Sequence, residues 1–295
     1  MEIKHHHFLE PSSPPSSDGT SFMLGQRAFH IGTEIVKWND PGGFNGYDRN
    51  VSYLEEVEDR KTGRVKSEKI DGKRYGARSK GIDGISQIMI HHTGGDGNGA
   101  GRVFNTLHNE RGLSVHFAID DDGMIWQFLD CKDRAWHGGK HNNVSVGIEC
   151  NLYPSADKKP WYYNKDRCER FGNLPHAIGK DVIHGKPMNV FQFTAPQTEA
   201  LARLSAGIWV ALALLCPTPI DAKAASRFKA LGKAPVFPRT HGRHIAKTAI
   251  SKPLKHIGLI GHLQATRRKW DPAGFPWDYF EHRVEELHKV FVQNL

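Results

Sequence analysis

Apolar and polar positions along the middle of this chain fall into short, separated runs, and one run differs in kind from the rest. Residues 87–92 read QIMIHH, apolar on both faces before two adjacent histidines, the pattern of a strand buried centrally in a sheet. A helix is predicted over residues 101–112 (GRVFNTLHNERG), then strands at SVHFAI, MIWQFLD and VSVGIEC, with DDDG as the hairpin turn joining the first two. The turn's acidic side chains are expected in water. From Ala195 to Cys216 the chain reads as a buried helix, with Thr194 as N-cap and Pro196 in the first turn. Its apolar part, LSAGIWVALALLC, is too short to cross a bilayer. HIGLIGH is a further short buried strand, and DYFEHRVEELHKVF closes the chain as an amphipathic helix. Strands and helices intermixed in this way predict a mixed α/β core.

The pattern also divides the chain. Residues 1–20 form a Pro/Ser tail, 21–84 an irregular amino-terminal extension with NDPGGFNGYD as a loop and KTGR as a turn, and 85–295 the main domain. Two insertions interrupt that domain, at about 154–193 and 218–256. The first is aromatic and contains glycine, and it is long enough to be a lid or a substrate-facing loop.

Charge changes the picture in one place. The net charge is +8 over 295 residues, and residues 221–256 carry nine Lys/Arg against one acid, so that segment alone accounts for the excess. A basic run of this density fits an anionic wall polymer, a lipid head group or nucleic acid, and equally a solvated loop. No zinc-finger or RNA-binding motif accompanies it, so no specific nucleic-acid partner is expected. Cys131, Cys150, Cys168 and Cys216 form no CxxC pair and are expected as free thiols. The amino terminus shows no apolar signal segment, and His5, His6 and His7 are read as incidental to metal binding.

The candidate chemistry lies at strand ends. His91 and His92 follow IMI, and consecutive strand side chains point to opposite faces, so one of the two is expected at any given site. His262 likewise ends an apolar strand, and Asp271 lies nine residues on. Two imidazoles and a carboxylate suffice as protein ligands of a catalytic zinc, leaving a fourth position for water, although among 18 histidines the three alone are a weak signal. In VSVGIEC, Ser145, Gly147 and Glu149 share a face, so Glu149 projects from a side kept clear by small residues. That suits a general base, and a salt-bridged buried carboxylate fits the position equally well.

Four blocks then occur in a telling order: IMIHHT, SVHFAIDDDGMIWQ, AWHGGKHNNVSVGIE and GHLQATRRKWDPAGFPW. Together they resemble the zinc-dependent N-acetylmuramoyl-L-alanine amidases of type 2, relatives of the peptidoglycan recognition proteins and phage lysozyme-type amidases. The resemblance covers residues 85–151 and 194–282. It implies a central mixed sheet flanked by helices, and a zinc-assisted hydrolysis of the amide between N-acetylmuramic acid and the stem peptide's L-alanine. Carried over by motif, it implies His91, His262 and Asp271 as ligands of Zn2+, Glu149 as the catalytic carboxylate and Lys269 as the stabiliser of the transition state. His92 is then left to the other face. His137 and Trp136 are expected to line the substrate groove with His116 and Asn143, although His116 fits an interior histidine and Asn142 and Asn143 fit a turn just as well. The LQATRR wording departs from the family's commonest loop.

Peptidoglycan is therefore the expected partner and a monomer the expected form. A non-catalytic recognition module and a cytoplasmic amidase that recycles soluble muropeptides are the alternatives. Phage endolysin, injected antibacterial effector and recycling enzyme all fit the sequence, and action at the bacterial wall after lysis or dedicated delivery is the expectation.

Overall fold

The computed structural model describes residues 19–48, 53–58, 65–70, 75–95, 99–216, 229–240 and 244–295. All but the last two residues of the Pro/Ser tail, the KTGR turn, the three histidines near the start, and residues 221–228 and 241–243 of the basic segment lie outside these.

Six strands form the central sheet: β1 (Ile35–Lys37), β2 (Gln87–His92), β3 (Phe117–Ile119), β4 (Ile125–Gln127), β5 (Ser145–Cys150) and β8 (Gly258–Gly261). A separate hairpin in the first insertion supplies β6 (Ile178–Ile183) and β7 (Lys186–Phe191). The sheet order is β8-β2-β5-β3-β4-β1; β2, β5, β3 and β8 run parallel, and β4 turns back antiparallel to β3. The fold is α/β with a mixed sheet, as the sequence predicts. β2 is buried along its whole length, paired on both edges by the parallel strands β8 and β5.

One face of the sheet packs on two helices, α1 (Ala195–Leu215) and α2 (Trp277–Gln293), which lie against each other. Ile88, Ile90, Val146 and Ile148 point into this core with Leu201, Leu204, Ile208 and Trp209 of α1. The helix begins where expected, the Thr194 hydroxyl accepting the Gln197 N–H at 3.2 Å. On the opposite face a helical segment, Gly99–Phe104 continuing to Glu110, covers only part of the sheet. The uncovered remainder is the groove.

Three expectations change. The amino-terminal extension is not separate from the domain. Its hairpin Ser21–Leu24/Arg27–His30 places Phe22, Leu24 and Phe29 in the core, and β1 completes the sheet edge beside β4. Strands of three and four residues are too short for alternation to reveal them. The insertion at 154–193 is no lid, for none of its residues lines the groove; it packs Tyr162, Tyr163 and Phe191 into the core instead. The DDDG turn forms, with Gly123 N–H donating to the Asp120 carbonyl at 3.0 Å. Its Asp121 is buried, however, accepting bonds from Leu174 N–H (2.8 Å) and Asn173 Nδ2 (3.1 Å) of the insertion.

Candidate active site

Strand parity builds the site. Glu149 of β5 stands level with His91 of β2, and neighbouring parallel strands place level residues on the same face. His262 follows β8 directly and starts a one-turn helix, His262–Ala265. The Leu263 N–H donates to the Asp271 carbonyl at 2.8 Å, closing the intervening loop so that Asp271 returns beside His262. The Nδ1 atoms of His91 and His262 meet the same oxygen, Asp271 Oδ2, at 2.9 and 3.1 Å. All three residues are buried, and their ligand atoms lie within 4.8 Å of one another.

A chain of hydrogen bonds sets the protonation of His91. The Ser145 hydroxyl donates to the His141 carbonyl at 2.8 Å, so towards His137 Nε2, 3.3 Å away, its oxygen accepts. His137 therefore carries its proton on Nε2 and presents bare Nδ1 to His91 Nε2 at 3.0 Å. His91 must then donate from Nε2, which leaves the lone pair of Nδ1 aimed at a carboxylate oxygen. Protonating that nitrogen is disfavoured, because burial above all lowers His91 to about 4, against the Asp271 hydrogen bond that raises it. Burial also pushes Asp271 upward, yet the neighbouring imidazoles of His262 and His91 more than offset this and hold its carboxyl well below the usual range. A bare His91 Nδ1 facing a carboxylate oxygen, with His262 Nδ1 on the same oxygen, is what a bound cation would satisfy, so the donor set fits a metal.

Glu149 is the second notable group. Its Oε2 is buried with no hydrogen-bond partner among the described residues, and burial, then the charge of Asp271, pushes its carboxyl up to about 8. The salt-bridged alternative does not hold, since no cation pairs with it among the described residues.

The groove, about 480 Å³, is walled by His91, His92, Trp136, His137, Glu149, His262 and Asp271, with Arg102, Arg111, Arg268 and Lys269 around it. Trp136 thus lies where expected. His137 also borders the groove, but both its ring nitrogens are engaged, and its ring occupies the space over Gly147, where an added Cβ would come within 2.6 Å of it. His116 does not line the groove. It is fully buried, accepting from Gly147 N–H at Nδ1 (3.0 Å) and donating from Nε2 to the Asp133 carbonyl (2.9 Å), a satisfied interior histidine. Asn143 is likewise outside the lining, and accepts from Arg134 at 3.4 Å. The turn-forming asparagine is Asn142, whose Oδ1 takes the N–H groups of His137 (3.1 Å) and Gly138 (2.7 Å).

Two residues escaped the sequence reading. His92, expected on the far face, also borders the groove, because β2 ends there and the chain turns through Gly94 at φ 64°. Its ring meets Trp270 edge-on at 5.1 Å, and neither ring nitrogen has a hydrogen-bond partner among the described residues. Arg78, from the extension, lies buried beneath the site and donates to the carbonyls of Cys131, Asn142 and Ser145 at 3.2, 3.0 and 2.8 Å. Nothing in its neighbourhood of the sequence signals this.

Comparison with known proteins identifies the family. A family model described as N-acetylmuramoyl-L-alanine amidase matches residues 82–274, more than half of the chain. The chain is 30% identical over 100 residues to N-acetylmuramoyl-L-alanine amidase XlyB of Bacillus subtilis (strain 168), covering 32% of this chain and 31% of that protein. To N-acetylmuramoyl-L-alanine amidase CwlA of the same strain it is 31% identical over 81 residues, 26% of this chain and 29% of that one. The match thus spans under a third of either relative. Among solved structures, the Staphylococcus aureus hydrolase AmiA in complex with its ligand aligns with a TM-score of 0.42 at 13% identity, covering 75% of this chain and 80% of that one. By the match over residues 82–274, the chain belongs to the N-acetylmuramoyl-L-alanine amidase family.

Proposed function

We propose that this protein hydrolyses the amide between N-acetylmuramic acid and the L-alanine of a peptidoglycan stem, with zinc held by His91, His262 and Asp271. The observation that carries the reading is the buried Oε2 of the half-buried Glu149, without a partner among the described residues, on the same face as the convergent ligand set and bordering the same groove. Zinc held there would supply Lewis acidity towards the carbonyl and the attacking water.

The chain's own residues account for the rest. Glu149 takes the proton of the attacking water and returns it to the leaving nitrogen, so that proton count balances across the cleavage. Its upward shift comes partly from Asp271, and a cation on Asp271 removes that part. Lys269, two residues before Asp271 on the groove wall, brings a positive charge towards the developing oxyanion. Ser145 and His137 hold His91 in the tautomer that presents Nδ1. Arg102, Arg111 and Arg268 suit a stem peptide that carries carboxylates, and Trp136 offers an apolar face for sugar or peptide. The basic segment 221–256 favours an anionic wall polymer as target, and with it action at the bacterial wall after lysis or dedicated delivery.

Purified peptidoglycan incubated with the zinc-loaded protein, with products read by mass spectrometry, tests this directly. Glycan strands freed of peptide and new L-alanine amino termini, absent with Glu149→Ala and His262→Ala, are expected. Intact stems on both sacculi and soluble muropeptides, despite bound zinc, would leave a recognition module as the reading.

A further inference from the structure

The hairpin of the first insertion lines no part of the groove, yet its turn reaches the loop that carries Lys269. Strands β6 and β7 pair through Ile183↔Lys186 and are joined by His184 and Gly185 alone, with φ of 54° and 79°. A two-residue turn with positive φ at both positions favours Asn-Gly or Gly-Gly, so histidine there carries a conformational cost. Its imidazole is fully used. Nε2–H donates to the Lys269 carbonyl at 2.7 Å, and Nδ1 accepts from Thr248 Oγ1 at 3.1 Å. The His184 backbone N–H donates to the Lys247 carbonyl at 3.0 Å.

A second fastener lies on the same hairpin. The buried Asp181 carboxylate accepts the Gly274 N–H at 3.0 Å and the Lys247 ammonium at 2.9 Å. Close packing accompanies it, for a Cβ on Gly274 would sit 2.4 Å from the Phe191 carbonyl oxygen of β7. The hairpin thus grips the loop on both sides of Asp271, at Lys269 and at Gly274.

We propose that His184 is a positioning residue for Lys269: in the inserted hairpin it fixes the Lys269 end of the loop, while Asp181 separately holds the end beyond Asp271 through Gly274. A non-glycine residue persists in a disfavoured conformation where its side chain is needed, and here the need is the bridge from Thr248 to the Lys269 carbonyl. The inference rests on the reading of Lys269 as the group facing the developing negative charge.

The test compares His184→Asn, Lys269→Ala and the double variant in the zinc-loaded protein on soluble muropeptide, with hydrogen exchange of residues 266–274. Asparagine suits the turn better than histidine but is too short for the bridge. His184→Asn is therefore expected to melt no lower than wild type and to keep its zinc and KM, while kcat falls about tenfold and exchange in the loop quickens. The double variant should be no slower than Lys269→Ala. His184→Gly repeats the measurement should asparagine disturb the fold. Wild-type kcat and loop exchange in His184→Asn, or losses that simply add in the double variant, would overturn this role of His184. A Lys269→Ala variant with undiminished kcat would overturn the reading of Lys269 instead, and loop exchange in His184→Asn would still report whether the hairpin holds the loop.

Discussion

A single carboxylate separates the candidate site from a plain metal-binding cluster. Glu149 is held up to about 8 chiefly by burial, well above its ordinary value of 4.5. The sign of the resulting pH dependence follows. A carboxyl raised in the folded state favours folding below its unfolded value, and that contribution is lost as pH rises from about 4.5 through 8. In metal-free protein, Glu149→Gln should therefore raise the melting temperature relative to wild type more at pH 8.5 than at pH 5. On substrate the same variant should lose about 10²-fold to 10⁴-fold in kcat while keeping its zinc. Equal melting shifts at both pH values would mean that Glu149 ionises freely. At this scale sequence was an uneven guide. The position of Glu149 followed from alternation with a period of two, and its face from the small residues Ser145 and Gly147. The partnership of His137 with His91 did not, because 46 residues separate them and only the stacking of β5 beside β2 brings the two rings together.

Among the elements, the helix pair behind the sheet is joined by charge as well as by packing. Glu199 of α1 accepts Arg283 of α2 through both oxygens, at 2.8 and 2.9 Å, and Arg203 one turn along at 2.9 Å. The Arg283 hydrogen bonds hold the Glu199 carboxyl below its ordinary range. A depressed carboxyl stabilises the fold above its unfolded value and loses that contribution as pH falls through the folded one. Both side chains are about a third exposed, so Glu199→Gln should cost only ~0.5–1 kcal/mol at pH 7. Urea unfolding at pH 7 and again near pH 3 checks this, since the difference between variant and wild type should close in acid. The helices themselves were legible, as an N-cap, a proline and an unbroken apolar run are local signals. The β6–β7 hairpin was not, because its turn uses histidine where asparagine or glycine would have announced it.

For the whole molecule, a metal held by His91, His262 and Asp271 would be a cross-link between β2, the segment after β8 and the loop beyond it. Binding of this kind would stabilise the folded state with the logarithm of free metal concentration over Kd, about 4 kcal/mol at a thousandfold excess. Stripping the protein with a chelator should lower its melting temperature by several degrees, and zinc should restore it. His262→Ala should lose that response while its metal-free melting temperature changes little. An unchanged transition on stripping and reloading would count against His91, His262 and Asp271 as a zinc site.

By itself the sequence determined the α/β class, the central placement of β2, the helix that starts at Thr194, the family, and the three residues His91, His262 and Asp271 that the fold brings together. Each of these rests on local periodicity or on a short motif, and such signals survive without knowledge of neighbours. Tertiary structure alone decided that the extension supplies Phe22, β1 and Arg78 to the same body. It also decided that His116 is interior, that His92 reaches the groove, and that the insertion grips the loop beside the site rather than covering the groove. Those outcomes depend on which buried polar groups find partners across 40 to more than 100 residues of chain, as when Met23 N–H meets Gln127 Oε1 at 2.8 Å. A buried donor or acceptor must be paired wherever the fold leaves it, and that constraint acts in space, where the order of residues along the chain carries no trace of it.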